Sequence, residues 1–182
     1  MVYQTLSAGF GGQGVLFLGD LLTRSALHEG LQTTYMPTYG VAMRGGTANC
    51  VVTMSDEEIG SPLLDRPQAA IILNQPSFDK FVPIVEDGGL VIANSSMVDS
   101  AAYKGDGGVR VVFVPATETA REIAGTDRST NMVAVGAFLA CQSILSYDAI
   151  EATLSQFTEG AKGKLLPKNL AAIRKGMELA KG

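Results

Sequence analysis

Gly9, Gly11 and Gly14 stand at the G-x-G-x-x-G spacing in the stretch "SAGFGGQGV". Glycines so placed let backbone amides close on a pyrophosphate, and the start of a following helix attracts an anion. The doubled Gly11-Gly12 and the side-chain amide of Gln13 depart from the usual dinucleotide loop. A nicotinamide or flavin enzyme also needs an acidic residue roughly 20 positions on, to hold the ribose hydroxyls. That region here reads "LQTTYMPTYG", without Asp or Glu and without an Arg for a 2′-phosphate. Two uses of the loop stay open, an anion site and a tight strand–helix packing turn.

A second chemical candidate is "YGVAMRGGTANC", residues 39–50. Arg44 precedes Gly45 and Gly46, and a guanidinium beside two glycines presents its fork to phosphate or carboxylate without obstruction. The alternative is an exposed arginine on an ordinary turn. "GDG" at 105–107, with Asn131 further on, superficially matches the metal-diphosphate motif of thiamine enzymes. It lacks the preceding buried strand and the following helix, so it reads as a turn. His28, the single histidine, falls near the end of an amphipathic segment and reads as a residue at a helix terminus.

The elements that position these residues follow from the apolar pattern. Residues 3–8 read as a strand entering the glycine loop, and Val15 to His28 as a helix stopping near Gly30. "LQTTYM" reads as a strand ending at Pro37, and "TANCVVTMS" as a second one. "AAIILN", "LVIANS" and "VRVVFVP" have the composition of strands buried on both faces. "PSFDKFVPIVEDGG" and "ATETAREIAG" fall between them as helices or helical turns. The last third is helical: "STNMVAVGAFLACQSIL" behind a Ser/Thr cap, then "DAIEATLSQFTEGA", then "LPKNLAAIRKGMELAKG" with Pro in its first turn. Alternation of this kind predicts a single Rossmann-like α/β domain over 1–182: a mostly parallel sheet, helices on both faces and a helical C-terminal third.

Bulk properties narrow the class. A net charge of −4 with no basic block argues against nucleic acid as a partner. Cys50 and Cys141 lie far apart without C-x-x-C, which leaves no iron–sulfur or structural zinc set in this chain. Both sit among apolar residues and read as buried small hydrophobes. No apolar run approaches the roughly 20 residues of a membrane span, and no basic leader opens the chain, so a cytoplasmic protein is expected. No second histidine or Cys/His cluster supports nucleophilic or metal chemistry, which points to a binding module or to one subunit of a larger enzyme.

Two segments taken together go further. "AGFGGQGV" at 8–15 with "YGVAMRGGTANCVVTMSDEEIGSP" at 39–62 resembles the gamma subunit of 2-oxoacid:ferredoxin oxidoreductases. "NMVAVGAF" at 131–138 and "NLAAIRKG" at 169–176 fit as well, so the resemblance spans nearly the whole chain. It implies an enzyme that oxidatively decarboxylates a 2-oxoacid to an acyl-CoA with ferredoxin as electron acceptor. Thiamine diphosphate, magnesium and iron–sulfur clusters then belong to partners, namely alpha and beta thiamine-binding subunits and a ferredoxin-like subunit or segment. The gamma chain itself binds no cofactor and is inactive alone, and coenzyme A is a substrate.

On this basis Gly9, Gly11, Gly12, Gln13 and Gly14, the turn Arg44, Gly45 and Gly46, and Thr130 with Asn131 form a candidate site. They face coenzyme A or a partner subunit, with Gln13 expected to add an amide donor. The "RGGTANC" version of the motif favours 2-oxoglutarate or branched-chain enzymes over pyruvate enzymes, 2-oxoglutarate first. One departure is Val41-Ala42, where the family commonly has Pro-Glu. The rival readings are a stand-alone NAD(P)-binding oxidoreductase and a small phosphate- or nucleotide-binding module. "YMPTYGVAM" is the expected exposed apolar patch, with self-association of the isolated chain as its consequence.

Overall fold

A computed structural model describes residues 1–39, 46–61, 66–105, 108–157, 163 and 165–181. Six strands are formed: β1 (Val2–Phe10), β2 (Gln32–Tyr39), β3 (Thr47–Ser55), β4 (Ala69–Ile72), β5 (Leu90–Asn94) and β6 (Arg110–Val114). They make one sheet in the order β2-β3-β1-β4-β5-β6. β1, β4, β5 and β6 pair in parallel, whereas β3 runs antiparallel to both β1 and β2. β2 therefore points the same way as β1, and β3 alone opposes the rest. The sheet is mixed by pairing and mostly parallel by direction.

The helices are α1 (Val15–His28), α2 (Gln75–Phe81), α3 (Ala116–Ala124), α4 (Thr130–Cys141), α5 (Tyr147–Phe157) and α6 (Leu166–Leu179). One face of the sheet packs on α1 and α4, with Leu18, Leu22, Cys50, Val52, Ile71, Ile92 and Phe138 in a common core. On the other face Leu6, Ile72 and Val91 pack against Phe78 and Phe81 of α2 and against Val82 and Val85 beyond it. Helices thus cover both faces. α4 is buried all round, from Thr130 through Leu139, which suits its unbroken apolar run.

Several element ends differ from their sequence expectation for physical reasons. β2 continues past Pro37 to Tyr39 because it is an edge strand, where a missing backbone donor can face outward. β6 is the opposite edge, and only Val114 of it is buried. The cap expected before α4 lies one short turn earlier, where Thr126 accepts from the Arg128 N–H at the 3-10 turn Asp127–Ser129. α4 stops at Cys141 because Gln142 is extended and its side chain accepts the N–H groups of Ile144 and Leu145. His28 is exposed in the last turn of α1, as expected, and Gly30 follows with φ +82°.

α1 rides unusually close to the strands below it. A Cβ on Gly19 would fall 2.5 Å from Cys50 Sγ and 2.7 Å from the Tyr35 ring. From the strands, Tyr35 donates its hydroxyl to Leu16 O at 3.1 Å and Cys50 donates to Val15 O at 3.5 Å. The expected apolar patch is therefore split. Tyr35 fills space under α1 and Met36 is 40% exposed, while Met43 lies outside the described residues.

The cysteines also part company, since Cys50 is fully buried and Cys141 only half-buried. Burial pushes the Cys50 thiol up to about 12. Tyr3 is likewise pushed up to about 12, by burial first and by the Glu86 carboxylate second. Both groups stay protonated in the folded chain, while the unfolded chain ionises them from their ordinary 9.0 and 10.0. The stability this confers is whole below pH 9 and is lost as pH rises towards 12. Urea midpoints taken upward from neutral pH should fall over that window. In Cys50→Ala the fall should begin about one pH unit later, where Tyr3 takes over.

Candidate functional site

Register brings the two glycine motifs to one place. Phe10 at the end of β1 pairs with Thr47 at the start of β3, and the Gly11 N–H donates to Gly46 O at 3.0 Å. Gly46, directly ahead of β3, therefore meets the glycine loop. Arg44 and Gly45, with Val41 and Ala42, lie outside the described residues. The loop itself closes through Gln13 N–H to Phe10 O at 3.1 Å, with Gly12 at φ +96° and Gly14 at φ +75° as the N-cap of α1. Neither angle is readily open to other residues. Gly9 is required by space: its Cβ would meet Gln13 Oε1 at 2.6 Å and Leu73 Cβ at 3.1 Å.

α1 leaves β1 towards one face of the sheet and α2 leaves β4 towards the other. The crevice between β1 and β4 at their carboxyl ends is thus the topological switch point, where open α/β sheets take their ligands. In this chain the Gln13 side chain bridges that crevice. Its Oε1 accepts from Phe10 N–H at 2.6 Å, and its Nε2 donates to Leu73 O at 3.3 Å and approaches Met97 Sδ at 3.3 Å. Gln13 braces the loop with both ends of its amide.

Two buried asparagines that sequence reasoning passed over extend the brace. Asn74 caps α2 by accepting from Ser77 N–H at 2.9 Å, and its amide lies 3.5 Å from Gln13 Oε1. Asn94 donates to Leu73 O at 3.2 Å and to Thr117 Oγ1 at 2.9 Å. Each sits directly after or at the end of an apolar strand, in "AAIILN" and "LVIAN". That position was the available signal.

Thr130 and Asn131 stand where they were expected, beside the loop. Asn131 donates Nδ2 to Gly14 O at 3.2 Å and packs over the α carbon of Gly14 so closely that a side chain there would collide with its amide. Thr130 donates to Asp127 O at 2.7 Å, with its hydroxyl 3.4 Å from that of Thr117. Between the loop and Thr130 opens a cleft of about 370 Å³, with Gly11, Gly12, Thr117, Thr130 and Arg128 among its walls. A hollow of about 360 Å³ lies at the other end of the sheet, against Tyr3, Glu86 and Arg110, and holds none of the candidate residues. The cleft at the carboxyl ends is the candidate site.

At the cleft's rim, Arg121 grips Asp127 with two hydrogen bonds of 2.5 and 2.9 Å. The Arg121 guanidinium holds the Asp127 carboxyl below its usual range. Among the described residues, no group of three or more His, Cys, Asp or Glu side chains is placed to hold a metal ion. No helix among them is long and apolar enough to cross a membrane.

Residues 4–179 match the family described as pyruvate ferredoxin/flavodoxin oxidoreductase. The chain belongs to this family. Within it, ketoisovalerate oxidoreductase subunit VorA of Methanothermobacter thermautotrophicus is 41% identical over 175 residues, covering 96% of this chain and 35% of VorA. The 2-oxoglutarate synthase subunit KorC of Methanocaldococcus jannaschii is 32% identical over 176 residues, covering 96% of this chain and 91% of KorC. The chain thus spans about a third of the VorA relative but nearly all of KorC.

Two solved members of this oxidoreductase family share the fold. The gamma subunit of a keto/oxoacid ferredoxin oxidoreductase from Geobacter sulfurreducens superposes with a TM-score of 0.82 at 25% identity, covering 98% of each chain. The 2-oxoglutarate:ferredoxin oxidoreductase of Magnetococcus marinus, solved with 2-oxoglutarate, coenzyme A and succinyl-CoA, gives 0.88 at 26% identity. There the match covers 99% of this chain and 31% of the other. The chain is accordingly a gamma-type member of the oxidoreductase family, with the mixed-sheet α/β fold of its gamma subunits.

Proposed function

We propose that this chain is the gamma unit of a multi-subunit 2-oxoacid:ferredoxin oxidoreductase and that its glycine-loop cleft faces coenzyme A. The observation that carries the reading is the superposition of 99% of the chain on an enzyme solved with coenzyme A bound. In the assembled enzyme, alpha and beta subunits hold thiamine diphosphate with magnesium, and a ferredoxin-like subunit or segment carries iron–sulfur clusters. Loss of carbon dioxide from the 2-oxoacid leaves two electrons for ferredoxin, and the acyl group passes to the thiol of coenzyme A. That chemistry belongs to the cofactors, while this chain supplies binding and orientation. On this reading the complex works in the cytoplasm.

Affinity purification of the chain from its native cells tests the reading. Recovery of a thiamine-diphosphate subunit pair and a cluster protein, with 2-oxoacid-dependent ferredoxin reduction, is the expected result. A chain that comes down alone and binds a nicotinamide dinucleotide overturns it. On substrate, 2-oxoglutarate is the first expectation. A branched-chain 2-oxoacid is the second, favoured by the 41% identity to a ketoisovalerate subunit. Comparison of kcat/KM on the two decides. Arg44→Ala in the assembled enzyme should raise KM for coenzyme A about tenfold, the effect of losing one charged hydrogen bond. Failure of that variant to assemble would instead put Arg44 in a subunit contact.

A further inference from the structure

A hollow of about 360 Å³ lies at the amino ends of the strands, away from the glycine loop. Arg110, the first residue of β6, pairs in register with Leu90, the first residue of β5. Its side chain therefore stands on the face of Leu90, under α4, where Val112 and Val114 follow it as apolar residues. The guanidinium is placed. Its Nη2 rests 3.9 Å from Sγ of Cys141, the last residue of α4, and both residues line the hollow. Among the described residues Arg110 makes no ion pair.

A carboxylate lines the same hollow. Glu86 is half-buried and tied to Gln68, just ahead of β4, whose Nε2 donates to Glu86 Oε2 at 2.8 Å. Its Oε1 accepts nothing among the described residues. Beside it the half-buried Tyr3 hydroxyl, which burial and the Glu86 carboxylate keep protonated, makes no hydrogen bond among them either. β4 and β6 stand two strand spacings apart, about 10 Å, a gap that one compact ligand bridges with a hydrogen bond at each end. Leu90 and Ile144 add apolar wall. An open cation, an open anion and a hydroxyl thus converge on a partly apolar hollow, the make-up of a small-molecule site.

We propose that this hollow binds a free α-amino acid with an aliphatic side chain. Arg110 takes the carboxylate, Glu86 takes the ammonium, and Leu90 and Ile144 cover the side chain. Two unmatched charges of opposite sign select a molecule that carries both. A 2-oxoacid or a simple carboxylate leaves Glu86 unmatched and is repelled by it, and an amine does the same with Arg110. The inference is independent of what the glycine-loop cleft faces.

Cys141 serves as the reporter, since its half-buried thiol lines the hollow while that of Cys50 is fully buried. Alkylation of Cys141 by iodoacetamide in the full chain is timed by mass spectrometry in the presence of valine. Isovalerate, which lacks the ammonium, and isobutylamine, which lacks the carboxylate, are the comparison probes. Valine should slow the alkylation at concentrations about tenfold or more below those the other two require. Calorimetric titration with the same probes should give the same order. Arg110→Gln, at an exposed position, should weaken valine about tenfold or more. Glu86→Gln keeps the acceptor for Gln68 and should erase the preference for valine over isovalerate. Valine without effect in both assays, or all three probes acting alike, overturns the proposal. Arg110 is then a charge that guards the open edge of β6. Protection in the full chain that vanishes in the assembled enzyme also overturns it and assigns the hollow to a subunit contact.

Discussion

Replacing Gly176 with alanine should destabilise the chain by about 2 kcal/mol or more, although alanine is the better helix former. In a helix interior the substitution normally gains about 1 kcal/mol. Here α4 and α6 cross backbone to backbone. A Cβ on Gly176 would land on the carbonyl oxygen of Val133, and one on Gly136 on the carbonyl oxygen of Ile173. Those obstacles are main chain, so no rotamer change relieves them, and the helices must separate. Separation opens the packing around Val133, Phe138 and Ile173, all fully buried. Overpacking of a tight core costs about 1–3 kcal/mol and occasionally more, and residual voids add to it. Urea unfolding of Gly176→Ala and Gly136→Ala reads the effect directly. Gly60, whose Cβ would meet nothing within 4 Å, provides the control that should barely shift. A raised midpoint for either helical variant would contradict the crossing.

At Gln13, glutamate should be worse than alanine. Alanine removes the acceptor for the Phe10 N–H and the donor to Leu73 O, a loss of about 1–3 kcal/mol for two net hydrogen bonds. Glutamate keeps the acceptor but turns an oxygen towards the Leu73 carbonyl, where the native nitrogen sits at 3.3 Å. A half-buried carboxylate facing a carbonyl is repelled and partly desolvated, so the expected loss is about 3 kcal/mol or more. The same geometry raises the pKa of the introduced carboxylate in the folded state. Its penalty is therefore full at neutral pH and shrinks as pH falls through that raised value. Thermal unfolding of both variants between neutral and mildly acidic pH measures the difference, and KM for coenzyme A in the assembled enzyme reports on the loop. If glutamate proves milder than alanine at neutral pH, Gln13 does not donate to Leu73.

What was legible in the sequence follows the period of its apolar residues. β4 and β5 are continuous apolar runs and are buried on both faces, and α6 begins with Pro167 in its first turn. β6 has the same composition and lies at the edge, because edge position depends on what pairs beyond it and not on the strand's own residues. The reversed direction of β3 was hidden for the same reason. "TANCVVTMS" says strand, and only the turn leading back from β2 sets its sense. Of the candidate site, the glycine loop and the helix start at Thr130 and Asn131 were readable from spacing, whereas the hydrogen bond of Asn131 to Gly14 O was not. Gln13 looked like a free donor because the atoms it braces come from Phe10, the last residue of β1, and Leu73, the residue after β4. Arg128 in "GTDRST" carried no signal at all, since its place beside the cleft depends on how the start of α4 docks on α1.

The hydrogen bond from Asn131 to Gly14 O joins residues 117 positions apart. During synthesis β1, α1, β2 and β3 emerge first, and the contact of Gly11 with Gly46 can form among them alone. The loop reaches its final form only when α4 has arrived, and α4 is held in turn by its crossing with α6. A chain that stalls or is clipped before α6 would keep its sheet but leave the loop unset. Amide exchange in the glycine loop should therefore report on the docking of the last third of the chain.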